Sequence, residues 1–220
     1  AITSLAILQL FEQGKLQLDQ PIHQFIPEFK SPGVLNTFNM ADSSYSTLPA
    51  KRDITFRDLL THTSGIDYTA IGSDKMKAIY AKAGVPSGLG ESKGKLLDKM
   101  KLLGKLPLAH QPGEKFTYGL NTDLLGCLVE IISGQSLEAY MNEHIFEPMG
   151  MKDTYFNVPM DKISRLPAVY TEDKNKQIIP WAPTFRGINP NYPWMPKSYF
   201  SGGAGLSATA FDYAIFLQMI

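Results

Sequence analysis

The sequence predicts a helix-rich globular domain, and three observations carry that prediction. Successive segments space their apolar residues at helical intervals and are bracketed by start and stop residues. The 220 residues are 44% hydrophobic and 19% charged, enough apolar material for one substantial core. The 18 Gly and 15 Pro are too few to suggest a disordered or low-complexity chain, and no internal repeat or interdomain linker is visible, so residues 1–220 read as one domain.

The elements follow in order. Residues 1–13, AITSLAILQLFEQ, are helical in character, with Ile2, Leu5, Ala6, Leu8 and Phe11 leaving few positions for solvent, and Gly14 ends the helix. Pro21 and the Ile26-Pro27 turn follow, and residues 31–53, rich in Ser, Pro, Gly and Asn, read as loop. Thr55-x-x-Asp58 has capping-box spacing and opens a short helix whose Leu59 and Leu60 face a core, ending at His62-Thr63-Ser64-Gly65. From 66 to 92 the pattern is weak. Residues 93–103 form an amphipathic helix with Leu96, Met100 and Leu103 on one face and Gly104 as its stop. Pro112-Gly113 turns the chain into a helix from Asn121 to Ser133, with Leu124, Leu128, Ile131 and Ile132 in register and Gly134 closing it. Ser136 caps the next helix, which ends before Pro148. Residues 155–200 are irregular and rich in Pro, Asn and aromatics; Trp181, Tyr192 and Trp194 suit a pocket wall or ordinary packing.

Composition excludes several classes of function. With 21 Lys+Arg against 21 Asp+Glu and no basic block, nothing is available to neutralise a phosphate backbone, so no nucleic-acid partner is expected. The single cysteine, Cys127, rules out a disulfide framework and a cysteine-rich zinc site. No apolar run reaches the roughly 20 residues of a membrane span. The four histidines, at 23, 62, 110 and 144, are scattered without metal-ligand spacing, and no metal or other cofactor is expected.

Among nucleophile candidates, no G-x-S-x-G elbow is present. Ser92-Lys93-Gly94-Lys95 has the spacing of a Ser/Lys pair on one helix face, but lies in a polar stretch where a lysine has no reason to shed its proton; a surface helix start is the better assignment. His62 beside Ser64 suggests a Ser–His pair, yet both stand at a helix end where hydrogen bonds to free carbonyls or a cap are the simpler role. Gly202-Gly203-Ala204-Gly205 fits no phosphate loop and reads as a turn or a close backbone approach. Tyr118 stands between the Pro112-Gly113 turn and the helix at Asn121, where a side chain can project into a cleft. On physical grounds alone it is a packing residue, because a phenol acts as a base only beside a cation.

Both ends read as cut. The first helix lacks a Ser, Thr, Asp or Asn cap, and at the other end Thr209-x-x-Asp212 opens an apolar stripe of Tyr213, Phe216, Leu217 and Ile220 that stops at once. We therefore expect an internal piece of a longer protein.

Four segments together resemble the serine β-lactamase-like family, which includes class C β-lactamases, D-Ala-D-Ala carboxypeptidases, penicillin-binding proteins, D-aminopeptidases and related esterases. They are residues 1–29, ITFRDLLTHTSGI at 54–66, PGEKFTYGLNTDLLGCLVEIISGQSLEAYMNEHIFEPMGMKDTYF at 112–156, and SGGAGLSATAFDYAIFLQMI at 201–220. The resemblance implies an α+β fold, an antiparallel sheet flanked by helices, with this chain holding mostly the helical part. It implies a serine acyl hydrolase working through an acyl-enzyme, its Ser-x-x-Lys pair just before Ala1 and its third motif beyond Ile220. It makes Tyr118 the proton-transfer partner, with oxyanion donors outside the chain. Leu120 and Asn121 then fall at substrate-binding positions. Leu120 stands where the family's Tyr-x-Asn motif has its amide, which tilts the expectation toward esters and away from β-lactams. The partner is then a small acyl substrate. A catalytically silent binding or sensor protein, and a peptidase of D-amino-acid peptides, remain the alternatives; oligomeric state and cellular location stay open.

Overall fold

The computed structural model describes residues 1–182 and 188–220. At its centre α1, Ile2–Glu12, lies along α5, Asn121–Ser133. Ile2, Ala6, Ile7 and Leu10 of α1 meet a helix whose Leu124, Leu125, Cys127, Leu128 and Val129 are buried. Each such side chain contributes roughly 1.5–3 kcal/mol of apolar burial. Gly134 ends α5 in the left-handed conformation at φ +74°, as its C-terminal glycine predicts.

Around this pair lie the other predicted helices. α2, Phe56–Leu60, starts on the predicted capping box: Thr55 accepts from the Asp58 N–H and Asp58 accepts from the Thr55 N–H, while Arg52 binds the same carboxylate at 2.6 and 2.8 Å. Leu59 is buried and Leu60 half-buried, as expected.

The segment after 66 and the helix predicted at 93–103 depart from expectation. The weak region after 66 contains a further helix, α3, Asp74–Ala83, capped by Ser73 and ended by Gly84, with Met76, Ile79 and Tyr80 buried. α4 spans Leu96–Gly104 rather than 93–103; Lys95 is extended at its N-cap, so Ser92 and Lys95 share no helix face. Leu96, Met100 and Leu103 are buried as predicted.

Ser136 caps α6, Leu137–Met141, which runs through a wide turn at Asn142–Phe146 into α7, Glu147–Met149.

Among the described residues the strands form antiparallel pairs only. β1, Gly33–Phe38, and β2, Tyr45–Pro49, make a hairpin with a bulge between Leu35 and Thr37, inside the stretch read as loop. β2 is exposed along its whole length, so no apolar alternation marks it in the sequence. β4, Tyr170–Glu172, pairs with β5, Ile178–Pro180, within the irregular region. β3, Thr154–Tyr155, pairs with β6, Ser207–Ala208, and β6 leads into α8, Ala210–Met219, capped by Thr209 as its spacing predicts.

The apolar faces of α1 and α8 are only partly covered. Leu8 and Phe11 are about 40% exposed, against the expectation that α1 leaves few residues to solvent. On α8 only Asp212 and Phe216 are buried, and Phe211, Tyr213, Leu217 and Met219 are exposed. Among the described residues no helix is long and apolar enough to cross a membrane.

Candidate functional site

Two segments pressed together build the site. Backbone hydrogen bonds lace 62–67 to 109–120: Ala109 N–H to Gly65 C=O at 2.7 Å, Thr117 N–H to His62 C=O at 2.8 Å, and Leu120 N–H to Asp67 C=O at 3.3 Å. Glycine permits the approach. A Cβ at Gly119 would lie 2.1 Å from the Ile66 carbonyl oxygen, and one at Gly65, where φ is +89°, 2.4 Å from that of His110.

This lacing sets side chains beside one another. The Tyr118 ring lies 5.2 Å from the His62 ring and 5.2 Å from that of Tyr68, with Phe116 5.7 Å from His62. Tyr118 is 53% exposed and edges a depression of about 310 Å³. The opposite walls are the start of α1, from Ala1 to Thr3, and the Gly202–Gly205 loop.

That loop is held from two sides. Thr3 donates to the Gly202 carbonyl at 2.7 Å, and Ser201 donates to buried Asp123 at 2.7 Å while accepting from the Ala204 N–H. A Cβ on Gly202 would lie 2.4 Å from the Thr122 carbonyl oxygen, so the glycine run is a close backbone approach, as predicted.

Burial shapes the electrostatics. It pushes the Asp123 carboxyl up to about 6, against the lowering effect of the Ser201 and Tyr199 hydrogen bonds. Burial also raises the Tyr68 phenol, with Asp123 and Tyr118 adding to it. Burial lowers the His62 imidazole below 6.5. Among the described residues lining the depression there is no Lys or Arg side chain.

Tyr118 stands at the depression as its position between turn and helix suggests. Leu120 and Asn121, expected at the substrate, are both fully buried, and neither lines the depression. Asn121 instead accepts from the Ser64 hydroxyl and donates to His62 Nδ1 at 3.1 Å. His62 corrects its assignment as a helix-end cap: its ring bonds no helix carbonyl and packs on Tyr118. His62 takes a left-handed backbone at φ +55°, and its ring meets Asn121 and Tyr118. The sequence holds one signal for this, the short spacings His62-x-Ser64 and Tyr118-x-x-Asn121 on segments that a glycine each lets approach. Ser92 and Lys95 lie outside the depression, Lys95 in solvent.

The aromatics offered for a pocket wall are elsewhere. Trp181 donates to the Ile188 carbonyl, and Tyr192 is buried with the Lys197 ammonium 4.4 Å from its ring centre. A second depression, between β3, β6 and residues 158–167, presents Lys162 and Arg165, but both are bound to Asp153.

The chain belongs to the beta-lactamase family, whose profile fits residues 1–220. Protein Rv1367c of Mycobacterium tuberculosis is 33% identical over 219 residues, covering 100% of this chain and 51% of that protein. Esterase EstB of Burkholderia gladioli is 29% identical over 230 residues, covering 100% of this chain and 54% of the esterase. Among solved structures, EstCE1, a hydrolase with promiscuous acyltransferase activity, superposes with a TM-score of 0.79 at 27% identity, over 99% of this chain and 55% of that one. The mixed α/β architecture is thus that of the β-lactamase and penicillin-binding-protein fold, and the chain holds a helix-rich portion of it. It spans about half the length of the curated relatives it matches.

Proposed function

We propose that the protein to which this chain belongs is a serine acyl hydrolase that favours esters. The observation that carries this is the placement of Tyr118, half-exposed at the depression beside the start of α1. A Ser-x-x-Lys pair directly before Ala1 would open toward that same depression. The serine Oγ attacks the acyl carbonyl, forming the C–O bond of the acyl-enzyme as its proton passes to the lysine and Tyr118 pair. That proton then goes to the leaving alcohol as the ester C–O bond breaks. Water repeats the sequence and frees the acid. The lysine also supplies the cation that the described lining lacks and that a phenol needs to take a proton at neutral pH.

Two features support esters over peptides and β-lactams. Leu120, at the family's amide position, is apolar and buried away from the depression, and Asn121 spends its amide on Ser64 and His62, so neither presents an amide there. The relatives named above as an esterase and as a hydrolase with acyltransferase activity agree with this class of substrate.

The sequence upstream of the Ala1 codon tests the proposal. Ser-x-x-Lys in the four residues before Ala1 supports it, and other residues at those two places make a catalytically silent binding protein the better account. Residues 1–220 alone are then inactive toward p-nitrophenyl acetate. Turnover by them that Ser92→Ala abolishes would instead make Ser92 the nucleophile.

A further inference from the structure

The polar cluster behind Tyr118 fixes more than position. The Ile66 N–H donates to Ser64 Oγ at 3.1 Å, and the Ser64 hydroxyl donates its one hydrogen to Asn121 Oδ1. That assigns the Asn121 amide: its NH₂ faces His62 Nδ1 at 3.1 Å, so Nδ1 is an acceptor and the ring hydrogen sits on Nε2. Protonating Nδ1 would set two donors against each other. Turning the Asn121 amide to relieve this would break the bond from Ser64, inside a fully buried pair.

We propose that His62 is a positioning residue for Tyr118, held by Asn121 as the neutral Nε2–H imidazole. It bears on Tyr118 through ring packing at 5.2 Å and through the hydrogen bond from Thr117, next to Tyr118, to its own carbonyl. The groups facing His62 are the Tyr118 and Phe116 rings from the 112–120 segment and the Asn121 amide from α5. None is anionic, so nothing there favours the imidazolium. Burial pushes in the same direction. His62 holds this place from a left-handed backbone, φ +55°.

The inference rests on the hydrolase proposal for what Tyr118 does, but the state of the imidazole is measurable without turnover. A long-range ¹H–¹⁵N correlation spectrum of the full-length protein, with the His62 signals assigned by their loss in His62→Gln, reads the tautomer directly. The expected pattern is Nε2–H at pH 7 and a titration midpoint below 6.5. An Nδ1–H tautomer, or an imidazolium at pH 7, overturns the proposal.

The second arm is the pH profile of kcat/KM for p-nitrophenyl butyrate. Asn121→Asp puts an acceptor at Nδ1, so the His62 midpoint and the acid limb both move to higher pH. His62→Gln lowers kcat roughly 10- to 100-fold with a smaller change in KM. If the His62 midpoint moves in Asn121→Asp while the acid limb stays, or if His62→Gln retains full kcat, His62 does not position Tyr118. An Nε2–H signature in a protein that turns over no ester overturns the hydrolase proposal, and with it the link from His62 to chemistry.

Discussion

Two regions of the molecule meet solvent in opposite ways. At the corner between 62–68 and 109–123 polar groups are buried inside the protein: Ser64 and Asn121 are bonded to each other, Asp123 is bonded through Oδ1, and the chain closes on itself through Gly65 and Gly119. On the outer faces of α1 and α8, large apolar side chains are left uncovered by this chain: Leu8, Phe11, Phe211, Leu217 and Met219. A helix apolar on all sides is ordinarily covered on all sides. The corner that positions Tyr118 is therefore specified by contacts within this chain, while the α1/α8 face gains little from them.

The strongest way to break that contrast is to force the corner open. Gly119→Val places side-chain atoms where the Ile66 carbonyl stands, and is expected to cost about 4 kcal/mol or more, read from the denaturation midpoint. A midpoint within about 1 kcal/mol of the parent would mean that the corner yields easily.

A smaller effect comes from Asp123. Its folded pKa, raised to about 6 from 3.8, means that the folded state holds a proton the unfolded state releases. The stability this group contributes is full below about 3.8 and is lost as pH rises through about 6. Asp123→Asn removes this dependence, and the difference between the two pH–stability curves should span on the order of 2 kcal/mol between pH 4 and 7. Parallel curves would show that Asp123 has the same pKa in the folded and unfolded states.

The smallest effect is expected on the open face. In residues 1–220 alone, Leu217→Ser should change stability by less than about 0.5 kcal/mol while lowering the binding of an apolar dye such as ANS. A loss above 1 kcal/mol would show that α8 is covered on that side.

The same contrast explains what the sequence discloses. α5 is legible because its apolar stripe and Gly134 act locally, and α2 and α8 because Thr55, Asp58, Thr209 and Asp212 carry their own cap spacing. α3 is missed although Ser73, Met76, Ile79, Tyr80 and Gly84 hold its signals, because Gly72 and a run of lysines dilute the stripe. The β1/β2 hairpin is hidden because its second strand has no buried side to alternate with. Tyr118 is placed by its junction and by resemblance. His62 is not, since its place depends on a left-handed backbone and on Asn121, 59 residues away, and the short spacings on the two segments do not show that the segments meet.

The central claim is that Tyr118 takes part in acyl transfer at this corner. Its most direct test is turnover of p-nitrophenyl butyrate by the full-length protein and its Tyr118→Phe variant, with thermal unfolding of both measured alongside. The account predicts a fall in kcat/KM on the order of 100-fold or more with stability changed by less than about 1 kcal/mol. Unchanged turnover in a folded variant would remove Tyr118 from the mechanism and contradict the account.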